Sequence, residues 1–196
     1  NKKGEVQKIN QAEMGVKYTH NNFTFTSTLF WSELTNIGTA NFEFDSDNNS
    51  IFYTPILFNT SRTMGLEWES VYEPIQNITF RFNGVIQNPK ATKWKIYDAA
   101  GSVDTADDQT LDFSGNTLAF TPKLMTNLSS EYQKNKISAF IKWQYMGKRF
   151  GNVANGFELD SYSLFNKNYE KRKKERLKTY KKKSSGILKK FKSLIE

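Results

Sequence analysis

Apolar and polar residues alternate one by one along much of residues 1–165, and a period of two predicts β-strands rather than helices. In the clearest run, residues 137–150, Trp143 and Tyr145 fall on one face, and Lys142 and Gln144 fall on the other. Earlier runs carry apolar sets with the same spacing: Met14, Val16 and Tyr18; Phe23, Phe25, Leu29 and Trp31; Met64, Leu66, Trp68 and Tyr72; and Ile78, Phe80, Phe82 and Ile86. With a weaker run at 123–132, the pattern predicts about six strands and the start of a seventh.

The connections between the runs are of two kinds. Short turns lie at 20–22, 73–77 and 133–136, whereas long segments rich in Asn, Asp and Gly lie at about 35–61, 88–120 and 151–160. An antiparallel meander has this arrangement when one end carries functional loops. The runs are long enough to cross a bilayer as strands, which predicts part of a transmembrane β-barrel with its apolar face toward lipid. A soluble β-sandwich, in which the apolar faces form a shared core, remains an alternative.

The amino-acid composition limits which structures and chemical sites the chain can form. The sequence holds 16 Phe, 9 Tyr and 4 Trp but no Cys. Aromatic side chains suit the pleated, partly buried surface of a sheet, and the absence of Cys excludes disulfides and Cys-ligated metals. No stretch reaches the roughly 18 apolar residues that a transmembrane helix needs. The first ten residues contain neither a Met nor a signal-peptide pattern, so we expect a processed product or an internal fragment.

The net charge of +8 belongs to the C-terminal end. Residues 167–196 hold 13 Lys/Arg against 3 Asp/Glu, and the preceding part of the chain is slightly acidic. We therefore divide the chain into a strand-forming part, 1–165, and a lysine-rich tail, 166–196, that is helical or disordered. Near the end of the tail an apolar set recurs at helical spacing among lysines: Ile187, Leu188, Phe191, Leu194 and Ile195. Such a segment can contact anionic lipid or nucleic-acid phosphates, and a solvated tail with no selected role is the alternative.

Few residues suggest a catalytic or metal site. His20 is the single histidine and lies in a predicted turn, which favours a solvated turn residue over a metal ligand or a triad member. Glu67 and Glu69 share one strand face about 7 Å apart, and in a barrel they line the lumen. We expect no catalytic residues, no metal ligands and no cofactor, and therefore no enzyme. Five Asn-x-Ser/Thr triplets match by chance in a chain rich in these residues; they begin at Asn22, Asn48, Asn59, Asn77 and Asn127.

Two acidic loops are candidate cation sites. Asp45, Asp47 and Asn49 have the spacing that opens a calcium loop, but Ser50 replaces its glycine and Ile56 replaces its bidentate glutamate. We therefore interpret this segment as a turn-forming loop. The second loop could hold a cation at a rim, although a solvated loop is favoured; its acidic residues are Asp98, Asp104, Asp107, Asp108 and Asp112.

Several joined motifs lie between residues 13 and 166. The stretch "WQYMGKRFGNVANGFELDSYSLFN" contains Tyr145, Gly147, Lys148, Arg149 and Phe150, then Asn155, Leu159 and Tyr162. At these positions it resembles the late strands of a known family, the TonB-dependent outer-membrane receptors. Upstream, "SRTMGLEWESVYEPIQNITFRFNG" resembles a strand, a periplasmic turn and the next strand. The segments "LDFSGNTLAFTPKLMTNLSSEY" and "GVKYTHNNFTFTSTLFWSELTNI" resemble a further approach to a strand and an earlier hairpin.

The resemblance implies a barrel of about 22 strands with a plug, located in the bacterial outer membrane. Such a receptor takes up a scarce nutrient, such as a metal–siderophore chelate or a vitamin, with energy passed on by TonB. Its partners would be outer-membrane lipid, TonB through the plug and the nutrient, with no role for nucleic acid. This chain lacks the plug and the other strands, so we expect a fragment that does not transport alone. The tail would be a truncated, frame-shifted or fused segment, and the ligand contacts cannot be named from the sequence.

Overall fold

The computed structural model describes residues 6–45, 47–101, 103–104, 106, 108–135 and 137–171. All regular structure in these ranges is β-strand. The strands are β1 (Lys8–His20), β2 (Phe23–Thr39), β3 (Phe42–Asp45), β4 (Ser50–Tyr53), β5 (Leu57–Tyr72), β6 (Ile78–Lys93), β7 (Lys95–Asp98), β8 (Gln109–Asp112), β9 (Leu124–Lys134), β10 (Ile137–Met146), β11 (Arg149–Phe150), β12 (Glu158–Leu159) and β13 (Tyr162–Lys171). Across the same ranges, no helix has the length and apolar content that crossing a membrane would take.

Seven long strands form one antiparallel sheet in the order β1-β2-β5-β6-β9-β10-β13, so each strand pairs with its neighbours along the meander. The predicted short turns at 20–22, 73–77 and 133–136 all lie at one end of this sheet, which we call the short-turn end. The predicted long connections lie at the opposite, or loop, end. They contain three two-stranded hairpins, β3–β4, β7–β8 and β11–β12, which the alternation did not predict.

The register collects the predicted apolar sets on one face of the sheet, here called the outer face. Leu29 lies opposite Leu66, and Leu66 lies opposite Ile86. This face is uncovered, since Met14 is 73% exposed and Leu29 is 56% exposed. A soluble sandwich would bury these side chains under a second sheet. The sandwich alternative is therefore wrong for the described part of the chain, which forms a single sheet with an exposed apolar face.

Aromatic side chains mark both limits of the outer face. At the short-turn end the rings of Phe23 and Tyr72 lie 6.5 Å apart. At the other limit the guanidinium of Arg62 lies 5.9 Å from the Trp31 ring and forms an ion pair with Glu33 at 2.8 Å. Nine residues run from Phe23 to Trp31 along β2. This number lies within the roughly 9–11 residues that a tilted strand needs to cross a bilayer, and aromatic girdles flank the apolar band of an outer-membrane barrel.

The sheet extends further into the lysine-rich segment than the alternation indicated. β13 continues to Lys171, so residues 166–171 belong to the sheet and not to the tail that was expected to begin at 166. Apolar alternation fades in "NKNYEK", but this segment still pairs with β10 through its backbone. The rest of the tail, including the predicted amphipathic helix, lies outside the described residues.

Candidate functional site

The inner face of the sheet is polar. Glu67 and Glu69 project from it together, as predicted, because positions two apart on a strand share a face. They border an open groove of about 560 Å³ whose other polar walls include Thr26, Thr28 and Asn83. Neither carboxylate forms an ion pair or a hydrogen bond with a residue in the described ranges. The inner face can therefore offer two carboxylates to whatever fills the lumen.

A ladder of side-chain amides crosses this inner face. Asn127 Nδ2 donates to Asn83 Oδ1 at 2.9 Å, and Gln144 Nε2 donates to Asn127 Oδ1 at 2.9 Å. Asn166 Nδ2 extends the ladder by donating to Gln144 Oε1 at 3.4 Å. The two middle amides, Asn127 and Gln144, each use the NH₂ on one neighbour and the carbonyl on the other, so hydrogen bonds follow one another across β6, β9, β10 and β13. Such a chain of amides stiffens the wall without any apolar packing.

At the loop end, the β7–β8 hairpin is docked against the β3–β4 hairpin. Glu43 accepts hydrogen bonds from the backbone N–H of Ala99 at 3.2 Å and of Gly101 at 3.0 Å, one on each carboxylate oxygen. Ala100 and Gly101 both have positive φ, 51° and 74°, which turns these amides toward a common point. The amides of Ala99 and Gly101 thus point at one anion, and the carboxylate of Glu43 occupies that position.

The segment whose spacing resembles a calcium loop, residues 45–49, forms a turn that is closed by its own side chains. Asp45 is 2% exposed, and its carboxylate accepts hydrogen bonds from Asp47 N, Asn48 N and Asn48 Nδ2 at 2.8–3.1 Å. The hydrogen bond from the Asn48 side chain is the main cause that holds the pKa of Asp45 below its ordinary value. The carboxylate therefore closes its own loop, as the turn interpretation predicts.

The acidic residues of the 98–112 loop also have local partners. Tyr97 donates its hydroxyl to Asp108, and this hydrogen bond raises the pKa of Tyr97. Asp112 accepts a hydrogen bond from Ser114 N at 2.9 Å. The side chain of Ser114 is the first cause, and its backbone N–H the second, that hold the pKa of Asp112 below its ordinary value. Within the described ranges, no group of three or more His, Cys, Asp or Glu side chains is placed to hold a metal ion. Asp107 lies outside those ranges.

A buried amide fixes the start of the β7–β8 hairpin. Asn59 is 1% exposed, and its Oδ1 accepts from Lys95 N at 2.7 Å while its Nδ2 donates to Lys95 O at 3.0 Å. The side chain thus satisfies both backbone groups of one residue, as a neighbouring strand would. We call this arrangement an amide clamp. Because Nδ2 also donates to Thr39 Oγ1 at 2.7 Å, the Asn-x-Ser/Thr triplet at Asn59 is a structural element and not a glycan acceptor.

A second amide clamp joins two other loop segments. Asn155 Oδ1 accepts from Thr117 N at 2.9 Å, and Asn155 Nδ2 donates to Thr117 O at 2.8 Å. Thr117 is 5% exposed, so water cannot replace these bonds. Asn155 has a φ of 57°, a conformation that Asn tolerates better than most residues. The resemblance singled out Asn155, whereas the role of Asn59 was missed, because a side-chain bond to a distant backbone leaves no periodic signal in the sequence.

Other residues of the motif at 145–162 form contacts near this clamp. Lys148 Nζ lies 3.1 Å from Glu158 and 3.8 Å from Asp160, and Glu158 is the main cause that raises the pKa of Lys148. The guanidinium of Arg149 lies 5.5 Å from the Tyr162 ring. His20 lies apart from all of these residues. It is the exposed last residue of β1, directly before the first turn, and its ring stacks on Tyr18. These contacts fix the path of the chain between β10 and β13.

An antiparallel meander with an apolar outer face, a polar inner face and folded loops at one end is part of the wall of a membrane-spanning β-barrel. The family model described as "TonB dependent receptor-like, beta-barrel" matches residues 6–170. The chain therefore belongs to the TonB-dependent receptor β-barrel family, as its motifs indicated. No curated protein matches it.

Solved structures of similar fold include three metal-related receptors and transporters. The ferric preacinetobactin receptor of Acinetobacter baumannii is 20% identical over 83% of this chain and 22% of its own, with a TM-score of 0.57. The ferric yersiniabactin uptake receptor of Yersinia pestis is 13% identical over 85% and 23%, with a TM-score of 0.59. A copper transporter is 15% identical over 85% and 23%, with a TM-score of 0.58. The chain thus spans less than a quarter of the length of these proteins.

Proposed function

We propose that this chain forms part of the wall and of the ligand-facing loops of an outer-membrane receptor for a scarce nutrient. The observation that carries the proposal is the pairing register, which gathers apolar side chains such as Leu29, Leu66 and Ile86 on one exposed face. Polar side chains occupy the opposite face, as they do in the lumen of a barrel. The receptor draws its energy from TonB, and its function is ligand passage, not catalysis.

The nutrient is a small metal chelate or a vitamin. Support for this class comes from the similar solved proteins, whose names refer to ferric preacinetobactin, ferric yersiniabactin and copper. In the proposed receptor, the chelate meets the β3–β4 and β7–β8 hairpins first, because loops at one end of a rigid sheet are where such proteins place recognition. The inner face, with Glu67 and Glu69, then lines its path.

We further propose that the chain does not transport by itself. In the described residues, β1 pairs only with β2, and β13 pairs only with β10. A seven-stranded sheet with two open edges encloses no lumen, and the smallest membrane barrels have about eight strands. Transport therefore requires further strands between β13 and β1.

Lipid contact of the outer face can be tested with single cysteines, since the sequence contains none. A fluorophore is attached to Leu128→Cys on the outer face or, as the matched control, to the adjacent Ser129→Cys on the inner face. The chain is reconstituted in bilayers that contain a lipid-tail quencher. We expect strong quenching at position 128 and weak quenching at position 129, because neighbouring side chains of a strand point to opposite faces. Equal quenching at the two positions would contradict the proposed membrane orientation.

A further inference from the structure

Arg149 carries a guanidinium that the described part of the chain leaves without an anion. The side chain is half-buried, and its Nη1 group is shut off from water with no hydrogen-bond acceptor in those ranges. The ion pairs formed between described residues do not include it. Arginine stays protonated in proteins, and a buried donor on a charged group is costly to leave unpaired. The fold therefore holds a cation whose counter-ion comes from outside these residues.

The acidic side chains nearest to Arg149 along the chain are already paired. Lys148 Nζ lies 3.1 Å from Glu158 and 3.8 Å from Asp160. Arg149 pairs with Leu159 on β12, and Glu158 is the residue next to Leu159. Because neighbouring residues of a strand project to opposite sides, Arg149 and Glu158 lie on opposite faces of the β11–β12 hairpin. These carboxylates therefore do not serve the guanidinium.

Tyr162 places this guanidinium at the loop end of the inner face. The guanidinium lies 5.5 Å from the centre of the Tyr162 ring, a cation–π contact that holds the group but supplies no hydrogen-bond acceptor. Tyr162 lies opposite Met146, which is two residues beyond Gln144 of the amide ladder, so all three share the inner face. Tyr162 is the first residue of β13 and is 41% exposed. In the proposed receptor, Arg149 and Tyr162 thus lie at the mouth of the lumen.

The carboxylates of the inner-face groove are too far away to neutralise Arg149. The pairing register sets Glu67 in the same row of the sheet as Tyr162, four strands away. Four strand spacings are about 19 Å, whereas charges reach about 10 Å at 0.1 M salt. The row between the two residues is apolar and holds Val85, Met125 and Met146. The positive charge at Arg149 is therefore open to a ligand.

We propose that Arg149 and Tyr162 bind a carboxylate group of the nutrient at the mouth of the lumen. This assignment rests on the proposed function, which supplies the nutrient and its path. A planar guanidinium can donate two parallel N–H bonds to one carboxylate, and the hydroxyl of Tyr162 is a further donor beside it. The bound carboxylate gives the guanidinium the counter-ion that the described residues lack. The nutrient is thereby narrowed to an anionic chelate or vitamin with a carboxylate at its surface.

Binding of succinate to the full chain, refolded in detergent, tests this site. Succinate is a simple dicarboxylate, and its neutral diamide is the matched control ligand. The titration is followed by NMR from the backbone amides of β11 and β12. We expect Arg149→Gln to weaken succinate binding by at least about tenfold, because a hydrogen bond to a charged group is lost, and Tyr162→Phe to weaken it by about two- to tenfold. The control variant is Arg81→Gln, which removes the same charge from an exposed residue of the inner face.

Two results would overturn the proposal. Equal affinity of Arg149→Gln and the unchanged chain would do so, and the counter-ion would then be a carboxylate from another part of the receptor. An equal loss in Arg81→Gln would also do so, since succinate would then respond only to net charge. Tyr162→Phe keeps the aromatic ring, so weaker binding in this variant cannot come from a lost cation–π contact. The titration needs no bilayer, so a failure of the lipid-contact test at Leu128 would refute the proposed membrane orientation and leave succinate binding unchanged.

Discussion

The amide clamp at Asn155 can be removed without a steric clash by the substitution Asn155→Gly. Glycine keeps the backbone conformation at φ 57° and deletes the side chain that carries the carboxamide. Thr117 is 5% exposed, so its N–H and C=O would both lose their partners with little access to water. A buried polar group left unpaired costs roughly 1–3 kcal/mol. The segment around Thr117 should therefore open more easily by about 2–4 kcal/mol.

Hydrogen exchange at the Thr117 amide measures this opening. A change of about 2–4 kcal/mol corresponds to exchange that is about 30-fold to 1,000-fold faster, while exchange in the centre of β9 should stay unchanged. Asn155→Ala should open the segment by roughly a further 1 kcal/mol, because alanine is strained at positive φ. The control is Asn49→Gly, which alters an exposed residue with a φ of 48° whose side chain makes no hydrogen bond in the described ranges. Unchanged exchange at Thr117 in Asn155→Gly would refute the clamp.

Three further changes test other parts of the molecule. A Cβ at Gly84 would lie 2.5 Å from Trp68 Cζ2, so Gly84→Ala should displace the indole, cost about 1–3 kcal/mol and shift the tryptophan fluorescence. Leu66→Arg places a charge in the middle of the outer face and should cost about 2–4 kcal/mol in bilayer unfolding titrations. Glu158 raises the pKa of Lys148, so the lysine's part in their ion pair is fully present below the ordinary lysine pKa of 10.5. The ion pair is lost as pH rises through the higher pKa of the folded protein. Hydrogen exchange of the backbone amides in β11–β12 would report this loss.

The faces of the sheet could be predicted from the sequence because they follow from covalent geometry. Successive side chains of a strand point to opposite sides, so the alternation of Phe80 and Phe82 with Arg81 assigns each residue to a face before any pairing is known. The weak run at 123–132 was still recognised as a strand, and it is β9. Three of the six pairings then follow from the short turns, since strands joined by two to five residues are expected to be neighbours.

The loops could not be predicted in the same way. The segments at 35–61 and 88–120 contain the β3–β4 and β7–β8 hairpins, whose strands of four residues are too short for a period to stand out. A bulge at Leu34/Ile37 also shifts the register where Asn36 has a φ of 59°, so alternation cannot be carried from β2 into β3. The strand pairing of 166–171 was missed for a related reason: backbone hydrogen bonds do not require apolar side chains.

The sheet, which could be predicted from the sequence, and the loops, which could not, are held together in different ways. In the proposed receptor, lipid covers the outer face of the sheet and the amide ladder joins the strands across the inner face, so no globular core is needed; Ala91 and Ala99 are among the few buried apolar residues in the described ranges. In the loops, single side chains such as Asn59 and Asn155 satisfy backbone groups far away in sequence. The sequence between clamped points makes few of these contacts and can vary without disturbing the sheet. In the proposed receptor, nutrient recognition is therefore expected to reside in the segments that the clamps hold, the β7–β8 hairpin and the loops around Thr117, rather than in the clamps themselves.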